Sequence, residues 1–90
     1  MTAARRVEIV NERGLHARAS ARFVKLAGEF DAEVKVTRDG TTVDALSIMG
    51  LMMLAAGPGC LIDITAEGPD AAAAVTALAE LVEGRFDEDR

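Results

Sequence analysis

Tryptophan and tyrosine are absent from this 90-residue chain, and three phenylalanines are its only aromatic side chains. Any strands it forms therefore lack the stacking platform on which single-stranded RNA is read. There is one cysteine, Cys60, so no intramolecular disulfide can form. That usage fits a reducing, cytoplasmic setting. With no histidine or second cysteine nearby to activate it, Cys60 is expected to be a small buried hydrophobe. One histidine and one cysteine cannot fill a zinc site, so neither metal nor cofactor is expected. No carboxylate pair with hydrolase spacing stands out. The longest apolar stretch, residues 48–57, is about half of what a membrane span needs. The first ten residues alternate charged and apolar groups and do not form an apolar leader. Basic side chains are also scarce: ten Lys and Arg against fifteen Asp and Glu leave a net charge of −5. That balance argues against general nucleic-acid binding. The cations are concentrated, however. Residues 1–38 hold eight of them and a balance of +3, while residues 39–90 carry −8.

What the chain does have is a regular alternation of patterns. Arg6–Val10 places Val7 and Ile9 on one side and Glu8 on the other, the mark of a half-buried strand. Asn11–Leu15 reads as a loop hinged at Gly14. Ala19, Phe23, Leu26, Ala27 and Phe30 recur at helical spacing, and Gly28 suits the end of that helix. Val34 and Val36 mark a second strand, and Asp39-Gly40 is a two-residue hairpin signal whose register pairs Val36 with Val43. Ser47 is a good N-cap for a short helix over Ile48–Leu54, which Gly57-Pro58-Gly59 ends. Cys60–Glu67 alternates as another strand. Gly68-Pro69-Asp70 opens a last helix with a stripe at Ala74, Val75, Leu78, Leu81 and Val82, closed by Gly84. The tail Asp87–Arg90 reads as frayed. The order is β-α-β-β-α-β-α in one domain spanning residues 1–90. The fold class is α+β: an open-faced sandwich, with helices on one face of a four-stranded antiparallel sheet.

Against that frame one residue carries chemistry. His16 is the only histidine. Imidazole is a competent nucleophile and is mostly neutral near pH 7. It stands just ahead of the first helix, where free backbone N–H groups of Ala17 and Arg18 and the positive end of the helix dipole can cradle a phosphate. Arg18 follows by two and can fork onto phosphate oxygens. Arg18, Arg22 and Lys25 share a helix face, and Arg22 and Lys25 are expected to steer an acidic partner. Ile48, Met49, Leu51, Met52 and Met53 are too many apolar residues for a short helix to bury. Leu51 and Leu54 are expected in the core and the rest at a docking surface, where methionine adapts to several partners.

Two motifs, Gly14-Leu15-His16-Ala17-Arg18 and Ser47-Ile48-Met49-Gly50, together resemble the signatures of the histidine-containing phosphocarrier family, HPr, of the phosphoenolpyruvate phosphotransferase system. The chain departs at Ala19, where the family usually has proline, at Ser20, and at Leu46. The resemblance implies the same open-faced sandwich and a carrier that is not an enzyme with turnover. It implies phosphorylation of His16 on Nδ1, the pros nitrogen, by enzyme I, and transfer to an enzyme IIA-type acceptor. It further implies a phosphate-binding role for Arg18, partner contacts at Ile48, Met49 and Met52, and regulatory phosphorylation of Ser47 by HPr kinase/phosphorylase. A monomer is expected. The alternative is a ferredoxin-like ligand-binding regulatory domain without covalent chemistry, which the β-α-β-β-α-β core also fits.

Overall fold

Alternating apolar residues become a sheet whose one face is covered by helices. The computed structural model describes residues 1–90. Its elements are β1 (Thr2–Glu8), α1 (Ala17–Ala27), β2 (Glu33–Arg38), β3 (Thr41–Asp44), α2 (Ile48–Met53), β4 (Leu61–Glu67) and α3 (Ala71–Glu83), followed by a 3-10 turn at Arg85–Asp87. The strands lie in the order β1-β4-β2-β3, and every neighbouring pair is antiparallel. No helix is long and apolar enough to cross a membrane.

The inward positions follow the period of two. Val7 and Ile9, Val34 and Val36, and Ile62, Ile64 and Ala66 are buried, and the helices cover them with Ala19, Phe23, Ala27, Ala74, Val75, Leu78 and Val82. Each large side chain buried there contributes about 1.5–3 kcal/mol. The outer sheet face is polar, with an exposed Arg6–Asp63 ion pair at 2.9 Å and a Thr37–Thr42 hydroxyl contact at 2.7 Å. The hairpin turns through Asp39 and Gly40, whose φ values of 49° and 82° give the twist that flanking strands need. Val36 lies opposite Val43, as the register requires.

Several boundaries differ from the sequence reading. The first strand runs over Thr2–Glu8 and not Arg6–Val10. Its extent is decided by β4, which pairs it from Thr2↔Glu67 to Glu8↔Leu61. Leu26, Phe30 and Leu81 pack on the core but are only partly buried, and Phe30 lies beyond the helix. Cys60 is likewise partly buried. The short helix closes one residue early, with Leu54 as its cap.

The largest correction concerns the tail, which is docked and not frayed. Gly84 ends α3, its N–H donating to the Glu80 carbonyl at 2.9 Å. Arg85, Phe86 and Asp87 then take left-handed conformations, with φ of 61°, 53° and 63°. Such residues each cost about 1–2 kcal/mol. Phe86 is fully buried against the core, which recovers about 1.5–3 kcal/mol. The Glu12 N–H also donates to the Arg90 carbonyl at 3.0 Å, so the chain beyond α3 lies back across the loop before α1.

Candidate functional site

The loop carrying His16 is fixed from below. Gly14 has φ of +62°, and a Cβ there would sit 2.2 Å from the Ala56 carbonyl oxygen. Only glycine allows that approach. The approach lets the Leu15 N–H donate to the same oxygen at 3.0 Å, and Leu15 is buried. The Ser20 hydroxyl donates to the Leu15 carbonyl at 3.1 Å. Asn11, fully buried, donates from Nδ2 to the Gly14 carbonyl at 2.9 Å.

His16 is the N-cap of α1, with extended backbone (φ −71°, ψ 178°) and no capping bond from its side chain. Its carbonyl accepts from the Ser20 N–H at 2.9 Å, the first bond of the helix. The N–H groups of Ala17 and Arg18, both exposed, precede that bond and are free for an anion. The imidazole is thus spared from capping and stands at the positive end of an eleven-residue helix.

The ring has one polar protein contact: Nε2 lies 2.5 Å from Glu88 Oε2. The two side chains are only 22% and 14% exposed. The other carboxylate oxygen, Oε1, accepts from Asn11 Nδ2 at 3.0 Å. Partial desolvation pushes the Glu88 carboxyl up, but the hydrogen bonds from His16 and Asn11, helped by the charge of a protonated His16 ring and by that of Arg22, hold it below the usual glutamate value. Glu88 is therefore ionised at neutral pH and acts only as an acceptor.

Beside this contact Arg18 and Arg22 line a wholly polar depression with Glu88, where Arg13 and Arg90 stand among the acidic Glu12, Asp87 and Asp89. Arg18 is exposed, available to an incoming anion. Arg22 is half-buried and donates to the Phe86 carbonyl, so it secures the tail as well as supplying charge. Lys25 is exposed in the last turn of α1, where its charge complements the helix dipole; it does not line the depression.

On α2, the Ser47 hydroxyl accepts from the Gly50 N–H at 2.9 Å, the N-cap bond expected of it. Leu51 and Leu54 are buried, while Ile48, Met49, Met52 and Met53 are exposed together with Leu46. The division between core and surface is the one the pattern demanded.

Glu88, Asn11 and Phe86 were not found from the sequence. A single aromatic just past the glycine that ends a helix is the available signal, since such residues often fold back onto the last turn. Nothing local marks which acidic residue of the tail meets the histidine.

Residues 3–84 match a family model described as the PTS HPr component phosphorylation site. The chain is 52% identical over 80 residues to the phosphocarrier protein HPr of Cupriavidus necator, covering 89% of this chain and 90% of that protein. It is 49% identical over 82 residues to the HPr of Neisseria meningitidis, covering 91% of this chain and 92% of the relative. The crystal structure of HPr-C-His from Thermoanaerobacter tengcongensis superposes with a TM-score of 0.93 at 40% identity, covering 98% of this chain and 99% of that one.

Proposed function

The chain belongs to the HPr family of phosphotransferase-system phosphocarrier proteins, and from that premise we propose that His16 accepts a phosphoryl group on Nδ1 from enzyme I and passes it to an enzyme IIA-type acceptor. The alternative of a ligand-binding domain without covalent chemistry falls away with the family assignment. The observation that carries the reading is the placement of His16: an imidazole at the N-cap of α1 that spends nothing on capping and is held from its Nε2 side.

The chemistry follows from that placement. The Nδ1 lone pair forms a bond to phosphorus as the bond to the donor breaks. The transferred group, close to doubly negative, is received by the free N–H groups of Ala17 and Arg18 and by the helix dipole. The Arg18 guanidinium offers two parallel donors to its oxygens. A phosphorus–nitrogen bond is labile, so the group is passed on readily. In this reading the chain is itself the phosphohistidine intermediate, a carrier and not an enzyme.

Docking is assigned to the exposed Ile48, Met49 and Met52, with Arg22 and Lys25 adding long-range attraction for acidic partners. Ser47 is assigned as a site of regulatory phosphorylation by HPr kinase/phosphorylase, and residues 1–90 as one phosphocarrier domain working as a cytoplasmic monomer. The test is incubation with enzyme I and phosphoenolpyruvate. The expected result is a gain of one phosphate that is acid-labile, alkali-stable and absent from a folded His16→Ala variant. Labelling that survives in His16→Ala would overturn the reading.

A further inference from the structure

The carboxylate behind His16 comes from outside the part of the chain that the family model covers. That match ends at residue 84, and Glu88 reaches the ring only because the chain reverses through three left-handed residues anchored by buried Phe86. From this geometry we infer that Glu88 is a positioning residue for phosphoryl transfer: it fixes the proton of His16 on Nε2, presents Nδ1 as the nucleophile, and faces the positive charge that the ring acquires on phosphorylation. The inference rests on the reading of His16 as the phosphoryl acceptor.

The steps are these. Glu88 Oε2 lies 2.5 Å from Nε2, and its ionised carboxylate can only accept, so Nε2 carries the proton. In a neutral ring the other nitrogen then holds the lone pair. Asn11 holds Oε1 from a fully buried position while donating to the Gly14 carbonyl, so the carboxylate is tied to the loop that carries His16. Arg22 holds the Phe86 carbonyl. The carboxylate is thus fixed from both its own segment and the loop.

When Nδ1 bonds phosphorus, the electron pair of the donor–phosphorus bond leaves with the donor. The ring keeps its Nε2 proton and becomes cationic. Glu88 stabilises that cation in place. On onward transfer the electrons of the nitrogen–phosphorus bond return to Nδ1, and the neutral ring is restored with its proton still on Nε2. A carboxylate orienting an imidazole in this way is worth an order of magnitude or more in other sites.

Two readouts test this, one of them independent of transfer. In the unphosphorylated protein, proton–nitrogen NMR should show a slowly exchanging, strongly deshielded Nε2 proton on His16, lost in Glu88→Ala. In rapid-mixing transfer from phosphorylated enzyme I, Glu88→Ala should be slower by about tenfold, the low end for loss of such a partner. Glu88→Gln keeps an acceptor but no charge; it should retain the protected proton and still transfer severalfold more slowly than wild type. A protected Nε2 proton that persists in Glu88→Ala, or a Glu88→Ala rate equal to or above wild type, would overturn the inference. A wild-type rate in Glu88→Gln would overturn its electrostatic half. Failure of the wild-type protein to label on His16 would instead defeat the carrier reading, while the NMR result would still report the contact.

Discussion

Replacing Gly14 by alanine should damage both the fold and the transfer reaction, and the size of the effect can be worked out from the loop. Alanine at φ +62° pays for a left-handed backbone, about 1–2 kcal/mol. Its methyl would also lie 2.2 Å from the Ala56 oxygen and 2.9 Å from the Gly57 Cα, both backbone atoms. One strand of the loop must retreat, and the Leu15–Ala56 hydrogen bond, worth about 0.5–1.5 kcal/mol net, goes with it. The sum is about 2.5 kcal/mol, or a fall in Tm of about 10–20 °C for a domain of this size. Gly40 supplies the control. Its φ is +82° but a methyl there meets nothing within 4 Å, so Gly40→Ala should cost only the conformational part, about 1–2 kcal/mol. Denaturant titrations of both variants measure the difference. Because His16 lies two residues beyond Gly14, phosphate uptake from enzyme I should also slow in Gly14→Ala and not in Gly40→Ala. Equal losses of stability in the two variants would refute the close approach on which the loop's rigidity is argued.

Ser47→Asp should keep a wild-type far-UV circular dichroism spectrum, since aspartate caps a helix as well as serine does, yet accept phosphate more slowly because the new charge borders the apolar surface of α2; equal transfer rates would leave Ser47 an ordinary cap. Acid should release the tail. Glu88 has a folded pKa below its unfolded value, whose reference is 4.5, so its contribution to stability is present above that reference and is lost as pH falls through the lower folded value. Thermal melts should therefore show Glu88→Gln less stable than wild type near neutrality and converging with it well below pH 4.5. A gap that stays constant with pH would show that the carboxylate is not held by His16 and Asn11.

Much of the molecule was legible because short-range pattern and long-range packing agree there. Val36 and Val43 pair as the Asp39-Gly40 turn dictates, Ser47 caps its helix, and Leu51 and Leu54 are buried while Met49 and Met53 are not. The place of His16 at the start of α1 was legible because the apolar spacing of the helix behind it is a local feature. The tail was not. Its acidic residues look like a solvated end, and what docks it is a set of partners far away in sequence: Arg22 for the Phe86 carbonyl, Asn11 and His16 for Glu88. The left-handed run at Arg85–Asp87 is unfavourable for those residues by themselves and is adopted because burial of Phe86 acts together with the hydrogen bonds from Arg22, Asn11 and His16 that hold the tail. The first strand was misplaced for a related reason, since Thr2–Arg6 has little alternation of its own and is ordered by pairing with β4.

The most direct test is to phosphorylate the histidine-labelled protein with enzyme I and locate the phosphorus by nitrogen–phosphorus coupling in NMR. A single phosphoryl group is expected, coupled to Nδ1 of His16, with the proton retained on Nε2. Phosphorus on Nε2, or on any other residue, would contradict it.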